Sequence, residues 1–370
     1  MGSVETAMKN TALYLDAKAT LSVLPDAEVY TPTGAQSLIR VKYSAINPAD
    51  IRHHYMGMSS HVPGYEWLGT VVSVGPSSPY KPGQNLFGLA TPGNKRPLHA
   101  GAHQDFLLAE KNWTLAAAAG TSIDALFNCM GYAFAPAGLE GEDPTGVPLL
   151  VWGGSSALGQ SGIQLAKAAG FSPIITTASA RNHALLKELG ADYCFDYNSP
   201  TVVEDVRKAV AATGKELTSV WDTIGGGTGF GEDMTREEID ALDFEKSTPA
   251  MAKRCCSDKL PLKLVNALFV EKDPGAWLFP NPYQLQTGEQ LPGPEYLKNV
   301  EALFGNPDFE RGDRLDVVRR WILKDGAKNW KPIKTKVVRG MDAAMEAIKA
   351  VYRGEAGGLK VVIEHPFADA

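Results

Sequence analysis

The sequence predicts a two-domain α/β protein in which a doubly wound parallel sheet accompanies a second, smaller and mostly antiparallel β domain. Three observations predict it. From about Ser122 onward, apolar strand runs alternate with helical stretches, which implies parallel strands joined by right-handed crossovers. Before Ala116, short alternating segments are punctuated by Gly, Pro and Ser clusters, the pattern of a twisted antiparallel sheet or small barrel. Within the alternating region, Leu149 to Gly159 is an apolar run that feeds a small-residue turn, followed by the amphipathic stretch Gln160 to Ala169. A chain of 370 residues suits two cores. The expected division is 1–121 with 330–370 for one domain and 122–329 for the other.

In chain order, strands are expected at Thr11 to Leu15, Leu38 to Ala45, Glu66 to Val74, Asn85 to Ala90 and His103 to Leu108. In Ser37 to Tyr43 the side chains alternate in character, as on a half-buried strand. The parallel sheet is then built from Leu149 to Trp152, Pro173 to Thr177, Tyr193 to Asp196 and Ser219 to Asp222. Helices Leu158 to Ala169, Ala180 to Gly190 and Val202 to Thr213 fall between them. Gly225 to Phe244 reads as an acidic, exposed segment, and Leu260 to Val270 as a returning core strand. The proline-rich stretch 273–294, with Trp277, Phe279 and Tyr283, reads either as an ordered loop near a pocket or as a peripheral insertion packed on its own aromatics. Helical periodicity resumes at Pro294 to Phe304 and Leu315 to Lys324. The tail is a helix, Met341 to Tyr352, and a closing strand, Leu359 to Glu364.

Composition is that of an ordinary globular chain, 44% hydrophobic and 21% charged. A net charge of −6 argues against a nucleic-acid-binding surface, which would show a basic excess. Cys129, Cys194, Cys255 and Cys256 form neither a disulfide framework nor a zinc spacing, so a reducing compartment is expected. Without a leader pattern or an apolar run long enough to span a bilayer, the expectation is a cytoplasmic protein that makes no membrane contact.

Three pieces fit a phosphate-bearing cofactor. Small residues at Gly153, Gly154, Ser155, Ser156 and Ala157 let backbone approach a pyrophosphate, and the helix from Leu158 offers unpaired N–H groups at its start. The alternative is a glycine-rich turn required only by close packing. After the second strand, an NADH site places an acid to accept the ribose hydroxyls. Here Ser179, Ala180, Arg181 and Asn182 offer donors instead, which favours the 2′-phosphate of NADPH, unless Ser179 merely caps the next helix. Tyr197, after the third strand, either contacts the adenosine end or packs structurally.

The segments Ala45-Ile46-Asn47-Pro48-Ala49-Asp50 and Val62-Pro63-Gly64-Tyr65-Glu66-Trp67-Leu68-Gly69, in this order before the Gly153 loop, resemble the medium-chain dehydrogenase/reductase superfamily. The resemblance spans nearly the whole chain. It implies a Rossmann nucleotide domain and a GroES-like catalytic domain. Where zinc members carry a cysteine and a histidine ligand, this chain has Asn47 and Tyr65, and the four-cysteine structural zinc lobe is missing. These are poor zinc ligands, so no metal is expected.

Within the superfamily the Asn-Pro-x-Asp form is similar to the quinone oxidoreductase and enoyl reductase branch. Further segments, among them Phe195-Asp196-Tyr197 and Gly358-Leu359-Lys360-Val361-Val362, are similar to fungal trans-acting enoyl reductases that work beside polyketide synthases. That resemblance implies NADPH-dependent reduction of an α,β-unsaturated carbonyl, as a free enone or a carrier-bound enoyl thioester, with a polyketide synthase as partner. It places cofactor contacts at Asn47, Pro48, Ala49 and Asp50 and at Leu359 and Lys360. Arg52 stands where relatives more often have lysine, at the reacting end. Ile123 stands where a threonine helps position substrate, so Ser122 or Thr121 substitutes, or the chemistry differs. A quinone or free-enone reductase, and a cofactor-binding homologue without redox turnover, remain open alternatives. His53, His54 and His61 invite a general-acid role but more often are solvated loop residues. The Cys255-Cys256 pair reads as buried small hydrophobes rather than a redox couple.

Overall fold

A computed structural model of the chain describes residues 8–18, 20–52, 60–90, 96–109, 122–225, 241, 243–267, 309–324 and 328–367. It divides into two compact units, Met1–Ala117 with Lys334–Ala370, and Ala118–Ile333. In the first unit, β1 (Asn10–Leu15) and β2 (Leu21–Ala27) form an antiparallel ribbon. β3 (Ser37–Ala45) is followed by a single helical turn, α1 (Ala49–Arg52), then β4 (Glu66–Val74), β5 (Asn85–Leu89) and β6 (Phe106–Ala109). β3 buries Leu38, Ile39 and Val41 and exposes Arg40 and Lys42. Antiparallel β4 and β6 both pair with it. Two register shifts between β3 and β4 bend the pair, as bulges do. β6 starts at Phe106 and not at His103, because the N–H groups of Ala102 and His103 donate to Gly64 O and Pro63 O.

The second unit contains β7 (Leu149–Trp152), α2 (Ala157–Ala169), β8 (Ile174–Thr177), α3 (His183–Leu189), β9 (Tyr193–Phe195), α4 (Val202–Ala211), β10 (Ser219–Asp222), α5 (Thr248–Cys255), β11 (Lys263–Asn266) and α6 (Phe309–Lys324). Its described strands lie in the order β11-β10-β7-β8-β9, all parallel. β7, β8 and β10 are buried at every residue, which is why they read as continuous apolar runs rather than alternating ones. α4 turns Val202, Val206 and Val210 inward at four-residue spacing. Order reverses between β7 and β10, the topological switch point where open α/β sheets bind ligands.

The chain then returns to the first unit as β12 (Thr335–Arg339), α7 (Met341–Tyr352) and β13 (Lys360–Glu364). β13 lies antiparallel to β3 and parallel to β12, completing a six-stranded sheet. Leu13, Ile46 and Ile51 pack with Ala344, Ile348, Val361 and Ile363, so the tail belongs to this unit's core. Several sequence expectations shift. The helix expected from Ala180 begins as a 3-10 turn, Ala180–Asn182, before α3. The strand expected over Leu260 to Val270 is confined among described residues to Lys263–Asn266. The stretch 226–240, the aromatic segment 273–294 and the helix expected at 294–304 lie outside the described residues.

Candidate functional site

In the nucleotide-type unit, the turn after β7 is tied down from both sides of the switch point. Gly153 N and Gly154 N donate to Thr177 Oγ1 and Thr177 O, at 3.1 and 2.9 Å. Thr223, just beyond β10, bonds Trp152 O and Gly153 O at 2.9 Å each. Gly153 has φ +81°, and a Cβ there would sit 2.4 Å from Ile224, so the turn requires glycine. A Cβ on Gly159 would lie 2.5 Å from Gly153 O, and only its absence lets the first turn of α2 close onto the loop. Ser156 caps α2 by accepting from Gly159 N at 2.9 Å, and its hydroxyl donates to Thr223 Oγ1 at 2.8 Å. The hydroxyl of Ser156 is thereby engaged within the loop. The half-buried Ser155, Ala157 and Leu158 stand where a helix presents N–H groups without intrahelical acceptors. This backbone cradle, which a Cβ would fill, fits a dinucleotide pyrophosphate.

The end of β8 carries no carboxylate. Ser179 is half-buried, its Oγ meets Tyr197 Oη at 3.4 Å, and it makes no side-chain cap to the following turn. Ala180 and Arg181 are exposed and Asn182 is half-buried. A hydroxyl and a phenol therefore meet at one corner of this unit, and the exposed Arg181 lies in the turn that follows. Tyr197 is 46% exposed, so it is a surface group and not a packed structural tyrosine.

Ser122 takes a different place from the one expected of a catalytic hydroxyl. It is fully buried and donates to Leu158 O at 2.9 Å, which fastens the segment to the start of α2. Ile123 is likewise fully buried and leads into a π-helical turn, Asp124–Cys129. Thr121 lies outside the described residues. Arg52 closes α1, and its side chain is outside them too, as are His53 and His54.

In the other unit, the Asn-Pro-x-Asp turn is organised around Asp50. That carboxylate is fully buried and accepts from Asn47 N at 2.7 Å, Gly64 N at 3.1 Å and His103 Nε2 at 3.1 Å. Asp50 thus clamps the two motif loops together. It is an anchor, and the cofactor contact expected of it is not available to a side chain so enclosed. Pro48 is exposed and Ala49 half-buried. Asn47 Oδ1 accepts from Lys360 Nζ at 2.7 Å, and the same ammonium meets Glu66 Oε1 at 3.1 Å. Pairing of β13 with β3 brings Lys360 there from the far end of the chain. Leu359 beside it is exposed. The donor set is an amide, a carboxylate and a phenol, Tyr65, with an ammonium already between the first two. Such a set does not fit a zinc ion, which wants thiolate or imidazole and would be repelled by the ammonium.

The flanking groups are structural. Arg96 is buried, stacks over the Tyr65 ring at 4.3 Å and donates to Gly64 O at 3.1 Å, and burial draws its pKa down to about 10. His61 is buried, and burial first, then the Arg96 charge, lowers its pKa to about 4, so it is neutral near pH 7 and is no general acid. Cys255 and Cys256 are buried, and desolvation pushes both thiols up, to about 12 at Cys255. They pack as small hydrophobes. Sequence reasoning missed His103 and Thr223, which reach the motifs only through tertiary pairing.

Comparison with known proteins agrees with this architecture. Residues 33–118 match the alcohol dehydrogenase GroES-like domain, and residues 157–234 match the zinc-binding dehydrogenase family. The chain is 33% identical over 233 residues to the enoyl reductase cheB of Chaetomium globosum, covering 56% of this chain and 61% of that one. It is 30% identical over 236 residues to the trans-enoyl reductase mpsG of Macrophomina phaseolina, covering 58% and 64%. The matches thus span less than two thirds of either relative. Among solved structures, the JamJ enoyl reductase superposes with a TM-score of 0.63 at 15% identity, over 97% of this chain and all of the other. A mycobacterial protein solved with NADPH gives 0.63 at 18%, over 96% and 100%. Over residues 33–118 and 157–234 the chain thus matches the two domains of the medium-chain dehydrogenase/reductase superfamily. Its relatives include fungal enzymes named as trans-enoyl reductases.

Proposed function

We propose that this chain is an NADPH-dependent, zinc-independent reductase of an activated C=C bond, acting on an enoyl thioester of polyketide type beside a polyketide synthase. The observation that carries the reading is at the end of β8. Ser179 meets Tyr197 there, the exposed Arg181 follows two residues on, and the segment from Thr177 to Asn182 holds no acid, beside a switch-point loop suited to pyrophosphate. A carboxylate would accept the ribose hydroxyls of NADH and repel a 2′-phosphate. The names of the relatives favour a conjugated thioester as substrate.

When bound, NADPH supplies hydride to the β-carbon of such a substrate. The residues of the chain supply position and charge. The Gly153 loop and the start of α2 hold the pyrophosphate, and Ser179 and Arg181 hold the 2′-phosphate. Lys360, fixed between Asn47 and Glu66, brings a cation to the turn where zinc members place their metal. A fixed cation stabilises negative charge developing on a carbonyl oxygen without metal chemistry.

Loss of nicotinamide absorbance, followed with crotonyl and longer enoyl thioesters and in parallel with a quinone, tests the reading. Oxidation of NADPH with the thioester alone supports it. Oxidation only with the quinone, or none despite tight NADPH binding, replaces it with quinone reduction or with a cofactor-binding role without turnover.

A further inference from the structure

The first unit holds a polar assembly that hydride transfer does not call on. Asp50, His103, Ser44, His365 and Asp105 form one unbroken line of hydrogen bonds, and none is more than 6% exposed. His103 Nε2 meets Asp50 Oδ2 at 3.1 Å, and His103 Nδ1 meets Ser44 Oγ at 2.9 Å. Ser44 Oγ meets His365 Nε2 at 2.8 Å, and His365 Nδ1 meets Asp105 Oδ1 at 3.0 Å. The inner end is the carboxylate that clamps Asn47 N and Gly64 N. At the outer end, Asp105 and His365 line an open surface depression of about 420 Å³, rimmed by Lys9, Arg40 and Lys42.

Four links need four protons. With both carboxylates ionised, two neutral imidazoles and one hydroxyl supply three. A neutral line would leave one link facing two acceptors, in a place where an unmade hydrogen bond costs about 1–3 kcal/mol. We infer that the line holds one additional proton in common and relays it between the surface depression and the Asp50 clamp. With the charge on His365, that ring donates to both Ser44 and Asp105, while the Ser44 hydroxyl donates to His103. Transfer breaks His365 Nε2–H and forms Ser44 O–H, as the original Ser44 O–H breaks and His103 Nδ1–H forms. The charge has then moved to the ring beside Asp50, and every link is still made.

Burial and the neighbouring charges act on both halves of the line. Burial lowers the proton affinity of His365, and His103 adds to that, against the opposing Asp105. At the Asp50 half, the Arg96 charge acts on the Asp50 carboxylate and on His61 and opposes a further positive charge. His103, Ser44 and His365 are thus positioning residues behind the Asp50 clamp on the Asn47 and Gly64 loops.

Nitrogen-15 NMR of the full-length protein, labelled at histidine, tests this without substrate or cofactor. As pH falls below neutral, the His103 and His365 rings should come to carry three N–H protons between them, and one titration event should shift both rings together. Ser44→Ala should split that titration into two separate ones. The inference is overturned if the wild-type rings carry two N–H protons throughout, or titrate independently. It is equally overturned if folded Ser44→Ala retains the joint titration. Because the wild-type titration decides the matter by itself, an unfolded variant leaves the test intact.

Discussion

Arg181 is the residue on which the cofactor reading depends most. It is exposed, so replacing it costs the fold little, and its charge acts only on what binds beside it. Arg181→Glu should raise the Kd for NADPH at least about tenfold, the worth of one charge-assisted contact, and leave NADH nearly unchanged. Isothermal titration with both cofactors checks it, and equal losses would remove the 2′-phosphate from this corner. Lys360 behaves differently because its head group is almost enclosed. Lys360→Met leaves Asn47 Oδ1 and the Glu66 carboxylate without their donor and should cost about 3 kcal/mol in urea unfolding, with Lys360→Arg costing less. His61 sets an acid limit. Its pKa is about 4 in the folded chain against 6.5 for the free side chain, so the unfolded state takes up the proton first and stability falls as pH drops. Between pH 7 and pH 5 this amounts to about 2 kcal/mol, and His61→Gln should lose less over that interval in chemical denaturation.

At the scale of elements, the tightest packing is that of α2 against the loop it follows. The neighbours of a Gly159 Cβ are backbone atoms of Gly153 and Gly154, which have no rotamer by which to yield. Gly159→Ala should therefore displace the loop, costing about 1–3 kcal/mol and weakening NADPH at least about tenfold. Thermal unfolding and cofactor titration on one sample check both parts. β4, β7, β10 and α7 were legible to the residue because their apolar patterns are set by burial within a single element. β2 and β12 were not legible. Their residues are half-buried or exposed, and pairing with β1 and β13 makes them strands. α5 escaped as well, since its Ser247 cap and Pro249 sit in a stretch without clear periodicity.

For the whole molecule, the order of motifs along the chain pointed to both domain families that match it and to both kinds of sheet. Side chains were harder to place. The turn at Gly153 follows from local sequence, because turn chemistry is local. The roles of Asp50 and Ser122 do not, because a carboxylate or hydroxyl reads the same whether it faces a ligand or a buried N–H. Besides Asn47 N three positions away, Asp50 reaches partners 14 and 53 positions away, and Ser122 reaches one 36 positions away. The exchange of metal ligands for Asn47, Tyr65 and an ammonium also makes a prediction for the complete protein. Elemental analysis after purification should find zinc well below one per chain, and one tightly held zinc would overturn the ligand argument.

Transfer of deuterium from NADPH labelled at the nicotinamide C4 position, followed by mass spectrometry of the product, tests the central claim most directly. With an enoyl thioester the account predicts a saturated thioester carrying one deuterium at the β-carbon. Label on a carbinol carbon, or NADPH consumed without label entering the thioester, would contradict it.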